Sequence, residues 1–179
     1  MKVWDAFVRV SHWLLAACVL IAWVSSELKL KAAEPVHEWS GYLVLFAVAL
    51  RFVWGCIGPR YARFAHFVRG PARTLAYAKA LLRGAEPRYI GHNPLGAWMI
   101  VALLVTAALA SSTGWLSITD RFWGVAWLQE THRILGDALI VLASLHVTGV
   151  VYTSARQREN LALAMLTGVK RPPQAGDVA

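Results

Sequence analysis

Four apolar runs, at about 7–24, 37–57, 94–114 and 129–152, are each long enough to cross a ~30 Å hydrocarbon core as a helix. The stretch 61–83 differs. Phe64, Phe67, Val68, Leu75, Ala78, Leu81 and Leu82 recur there at near-helical spacing, with Arg63, Arg69, Arg73, Lys79 and Arg83 between them. That pattern predicts one or two amphipathic helices lying on a membrane surface, divided at Gly70-Pro71. In Gly91-His92-Asn93-Pro94 the third span has a start signal, because Asn93 can cap a helix and Pro94 suits its first position. Ile118 to Leu128, with Phe122, Trp123 and Trp127, reads as an interfacial segment at the outer side. A short helix is expected over Glu159 to Thr167, before Pro172-Pro173. The first span has Lys2 ahead of it, as a signal peptide would; three further spans and a useful histidine within it favour its retention.

Composition sharpens this picture into a membrane protein. Hydrophobic residues make up 58% of the 179, and charged residues 16%, against ~25% in ordinary soluble domains. The length suits a single domain over 1–179, with no room for a separate soluble enzyme domain. Cys18 and Cys56 fall on predicted spans, and no C-x-x-C-H is present, so covalent c-type haem attachment is not expected. A disulfide between them is not expected, and both read as packing residues.

The net charge of +8 suggests nucleic acid until its distribution is examined. Arg60, Arg63, Arg69, Arg73, Lys79, Arg83 and Arg88 in the middle connection face one acid, Glu86, and both chain ends are basic. In the other two connections Lys29, Lys31, Arg121 and Arg133 are offset by Glu27, Glu34, Glu38, Asp120 and Glu130. This is the positive-inside asymmetry, so both termini and the middle connection are expected in the cytoplasm, and no nucleic-acid partner is expected.

His132 and His146 lie 14 residues apart on the fourth span. Fourteen helical residues rise about 21 Å and turn to within about 40° of four whole turns, so both rings share one face at two depths. Because the spans alternate in direction, His37 joins His132 at the outer level and His12 joins His146 at the inner level. A polar ring inside a membrane needs a partner or a task. Two pairs on facing helices suit axial ligation of two stacked haem irons, His12–His146 and His37–His132. Gly41, Gly136 and Ala16 each follow one of these histidines by four residues, leaving room for a flat porphyrin on the same helix face. Arg51 follows His37 by 14 residues and could pair with an inner haem propionate; Arg9, three before His12, is a second candidate, and Arg133 a weaker one for the outer haem. His92 reads as a cap-region structural residue, and His66 as a headgroup-facing one.

The opening Val3-Trp4-Asp5-Ala6-Phe7-Val8-Arg9-Val10-Ser11-His12-Trp13 resembles the V-W-D-x-x-x-R-x-x-H-W start of bacterial cytochrome b561-like proteins, which include the b-type cytochrome subunits of nickel–iron hydrogenases. Gly91 to Gly96 and Glu159 to Gly168 extend the resemblance over nearly the whole chain. It implies an all-α integral membrane four-helix bundle holding two b haems. His12, His37, His132 and His146 match the family's ligand positions, and Arg51 its arginine on the second helix. The family passes electrons between quinone and a redox partner. The function expected is transmembrane electron transfer in a bacterial inner membrane, between a quinone pool and a periplasmic redox protein such as a c-type cytochrome. Because hydrogenase-type members are often longer, a minimal stand-alone or cytochrome-linked member is expected over a hydrogenase subunit. Alternative readings are a haem-containing anchor subunit of a larger oxidoreductase and, at some distance, a haem-free metal or proton transporter. Whether the chain is itself a quinone-linked oxidoreductase or a carrier, and whether it forms an oligomer, stays open in the sequence.

Overall fold

The structure, a computed structural model, describes residues 1–28 and 30–178; Lys29, one of the loop cations counted above, lies outside them. Seven α-helices follow in order, α1 (Ala6–Glu27), α2 (Glu34–Ile57), α3 (Phe64–Phe67), α4 (Pro71–Leu82), α5 (Pro94–Ser117), α6 (Ala126–Gln157) and α7 (Leu161–Thr167), with no strand among the described residues. The fold is all-α, and α1, α5, α6 and a stretch from Lys31 through α2 are long and apolar enough to cross a membrane. Between 6% and 33% of each span's most apolar stretch is buried within the protein. Side chains such as Val10, Phe46, Phe52, Val141 and Val151 are exposed on these helices, which is costly in water and neutral in lipid.

Local chemistry sets the helix ends. Asp5 accepts the Val8 amide at 3.0 Å and starts α1 at Ala6. Asn93 accepts the Gly96 amide at 2.7 Å, and buried Pro94 opens α5, as the sequence suggested. Gly70-Pro71 divides α3 from α4, again as read. Asn160 caps α7 through the Leu163 amide at 2.8 Å, so this helix begins at Leu161 rather than Glu159. It ends at Gly168, whose φ of 81° favours glycine. The spans run past their expected limits, α6 most of all. Ala126-Trp127-Leu128 was read as interfacial, yet it forms the first turn of α6, with Leu128 2% exposed. The segment before it, 118–125, is a series of turns.

The described residues form two compact units. The first takes Met1–Arg9, Val53–Val101 and Leu145–Ala179; the second takes Val10–Phe52 and Ala102–Ser144. In the second unit Cys18 of α1, Val44 and Val48 of α2, Ala107 of α5 and Leu139 of α6 make one apolar core. Cys18 is therefore a packing residue, and neither cysteine is in a disulfide.

The first unit has a small apolar core of Val3, Trp4, Ile90 and Ala164, and a polar weave around it. Short backbone bridges join Lys2 to Val169 and Tyr89 to Val178. The Val3 amide donates to Gly168 O at 2.8 Å. Arg88 grips Glu159 with two hydrogen bonds, of 2.8 and 3.3 Å, and also pairs with Asp177. The Lys170 ammonium, 5% exposed, lies 3.5 Å from Glu159 and donates to Tyr89 O at 3.2 Å. Burial pushes the Glu159 carboxyl up, but its bonds from Arg88 and the Arg171 amide, with the Lys170 and Arg88 charges, hold it below the ordinary value. Burial depresses the Lys170 ammonium more than Glu159 supports it.

Candidate cofactor site

His37 enters in the first turn of α2, after a one-turn 3-10 segment at Lys31–Ala33. Its Nδ1 lies 2.8 Å from Ala22 O of α1, and the Nδ1 of His132 on α6 lies 2.9 Å from Ala110 O of α5. A carbonyl can only accept, so each Nδ1 donates its proton. Each Nε2 then keeps its lone pair, the tautomer a metal ligand needs. The two carbonyls are themselves anchored by hydroxyls, Ser25 on Ala22 O at 3.0 Å and Thr113 on Ala110 O at 2.9 Å.

The His37 and His132 ring centroids are 5.9 Å apart, with planes at 87°. Two imidazoles on opposite sides of one metal, each bonded at about 2 Å, have centroids about 6 Å apart. Gly41 and Gly136 face open space, with nothing within 4 Å of an added Cβ. Gly114 of α5 is the opposite case, since a Cβ there would stand 2.8 Å from His132 Cε1. The glycine is what lets the His132 ring seat against α5. Among the described residues no three or more His, Cys, Asp or Glu side chains converge as a metal site. A lone imidazole pair beside open space suits a planar cofactor that brings its metal's other four ligands with it.

The remaining candidates divide between the units. His12, half-buried on α1 and edge-on to Trp13 at 5.1 Å, is in the second unit, as is Arg51, whose side chain is buried at 6% exposure. His146, half-buried on α6, is in the first. Arg9 has a task the sequence did not signal. Its Nη1 donates to Leu166 O at 2.6 Å, and its Nε lies 3.3 Å from where a Gly168 Cβ would be, so it holds the end of α7. Arg9 Nε and Trp54 Nε1 are nonetheless buried donors without a hydrogen bond among the described residues. A carboxylate would satisfy either, so the first unit offers seats that fit a propionate.

Arg133 is exposed and pairs with Glu130 at 2.6 Å and Asp137 at 2.8 Å, which takes its guanidinium away from any propionate. His92 packs between Trp4 and Phe67, at 4.5 and 4.7 Å, in agreement with a structural role. His66 packs on Tyr61 at 5.6 Å. Burial and the cations Arg60, Arg69 and Arg63 push its imidazole below its ordinary value.

Membrane-crossing helices around a histidine pair whose Nδ1 atoms are turned to backbone carbonyls fit a membrane b-type cytochrome. The chain belongs to the prokaryotic cytochrome b561 family, which matches residues 3–168. It is similar to a probable Ni/Fe-hydrogenase B-type cytochrome subunit from Azotobacter vinelandii, 26% identical over 211 residues, covering 93% of this chain and 86% of that protein. No solved structure matches. The protein is a multi-pass membrane protein that binds haem b and transfers electrons.

Proposed function

We propose that the chain binds two b haems, one between His37 and His132 and one between His12 and His146, and carries electrons across a bacterial inner membrane between a quinone pool and a periplasmic redox partner. The observation that carries this reading is the His37–His132 pair, with both Nδ1 atoms bound to backbone carbonyls. The second pair rests on helical spacing, because α6 runs unbroken through both His132 and His146. Both termini and the middle connection face the cytoplasm in this reading, and their basic segments do fall in one unit.

A bound haem b supplies a one-electron iron couple. The chain's own residues position and tune it. Ala22 O and Ala110 O fix the planes of His37 and His132 and raise their basicity. Gly41 and Gly136 leave space for the macrocycle, and Gly114 seats the His132 ring. Arg51, buried on α2, would hold a propionate by charge, inside a span where charged groups are costly and call for partners. Arg9 and Trp54 offer further donors. The apolar helix faces exclude water, so these few polar groups act in a low dielectric.

A second reading makes the chain the haem-containing anchor of a larger oxidoreductase, such as a hydrogenase or dehydrogenase. The name of the A. vinelandii relative favours it, and against the expected stand-alone protein this chain covers 86% of that relative. Co-purification with a partner at fixed stoichiometry separates the two readings. The ligand pairing is tested by haem content in His132→Ala and His146→Ala. Each variant is expected to fall from two haems per chain to one, with different residual difference spectra. Two haems in both variants would overturn the pairing.

A further inference from the structure

The bend between α3 and α4 gathers charge that no carboxylate among the described residues answers. Among the described residues no carboxylate pairs with Arg63, Arg69, Arg73, Lys79 or Arg83. The one acid in this connection, Glu86, is taken by Arg156 at 3.1 Å. At the bend, Val68 to Arg73 line an open cleft of about 310 Å³, and two of these six residues are the arginines Arg69 and Arg73.

The neighbouring surface is apolar as well as cationic. Helix α4 buries Tyr77 on one side and turns Leu75 and Leu82 outward, 57% and 88% exposed. Lys79 is exposed one helical turn beyond Leu75, and Arg83 follows Leu82. A nucleic acid or a free anion has no use for outward leucines among the cations. The boundary between lipid headgroups and acyl chains has a use for both. Trp98, in the first turns of the membrane span α5, donates its indole N–H to Arg69 O at 3.1 Å. That bond ties the bend to the interfacial end of a span, where tryptophans anchor.

We propose that this bend is a seat for an anionic phospholipid, with Arg69 and Arg73 on its phosphate and Leu75 and Leu82 against the adjoining acyl region. The occupant is a lipid of phosphatidylglycerol type, because its headgroup keeps a net negative charge that a zwitterionic lipid lacks. A juxtamembrane cation near such a surface changes binding about 5-fold, so the pair together is worth roughly 25-fold.

The test is a titration of the purified full-length protein with phosphatidylglycerol in detergent, read by native mass spectrometry. Arg69→Gln with Arg73→Gln is expected to weaken binding roughly 25-fold. Lys31→Gln with Arg121→Gln, the same charge change in the other two connections, is expected to leave it within about twofold. Phosphatidylcholine is expected to bind weakly to every form, and millimolar inorganic phosphate to leave bound phosphatidylglycerol in place. Equal affinity in wild type and the Arg69/Arg73 variant would overturn the seat. So would equal binding of phosphatidylcholine, and displacement by phosphate would make the ligand a free anion. If the double variant loses its helical circular dichroism, the single variants carry the test, each expected at about 5-fold; no loss in either would overturn the proposal.

Discussion

In the first unit the buried Arg88 guanidinium is shared between Glu159 and Asp177, and Glu159 is shared again with Lys170. In the second unit His37 and His132 hydrogen-bond to backbone carbonyls through one nitrogen each. These four charges satisfy one another, so they lock three distant stretches of chain together and have nothing left to give. His37 and His132 each use Nδ1 for that bond, which leaves the Nε2 lone pair for another partner. A spare lone pair, beside open space at Gly41 and Gly136, is what the proposed ligand role requires and a strut does not.

That contrast can be broken at several points. The largest effect is expected from Gly114→Val, whose side chain would occupy the place of the His132 ring. It should cost most of one haem per chain by pyridine haemochrome, while hydrogen exchange in the first unit stays as in wild type. Next comes Arg88→Met, which leaves Glu159, Asp177 and Lys170 without their shared partner. Breaking such a buried pair costs about 3–5 kcal/mol. Amide exchange over 159–178 should accelerate accordingly, with the haem of the His37–His132 pair retained.

Acid should act on the same lock more gently. Glu159 and Asp177 both titrate below their ordinary values of 4.5 and 3.8, the first against its burial and the second chiefly through the Gln174 amide. A depressed carboxyl contributes stability above its unfolded pKa and loses it as pH falls through the folded one. Lys170 has the same slope from the other side, since a depressed ammonium disfavours the folded state until pH rises past its folded value. Protection of 159–178 should therefore fall once pH drops below about 4.5, with no loss between pH 5 and 7. The smallest effect is expected from Trp54→Phe. Removing a buried donor from a propionate is worth about 1 kcal/mol, and it favours the oxidised iron. One haem midpoint should fall by tens of millivolts in a redox titration, with the other unmoved.

What could be read in the sequence follows from what lipid demands. A span must be a continuous apolar run, so all four were visible, and so was the break at Gly70-Pro71. The His37–His132 meeting followed from alternating span direction plus spacing. The ends were less legible, because Ala126-Trp127-Leu128 suits an interfacial segment as well as a helix start. Gly114 was invisible, since it lies on another helix and only the three-dimensional seat of His132 gives it meaning. The carbonyls of Ala22 and Ala110 carry no side-chain signature at all. Arg88 and Glu159 are 71 positions apart, and nothing local shows that they are buried together. Arg9 was singled out for a propionate on its spacing from His12, and its bond to Leu166 O depends on a tail that folds back.

The central claim is best tested by a haem count on the purified chain, made with ample haem supply, by pyridine haemochrome alongside a reduced-minus-oxidised spectrum. Two b haems per chain with sharp low-spin bands is the expected result. A single haem, or a high-spin spectrum, would contradict the two matched histidine pairs.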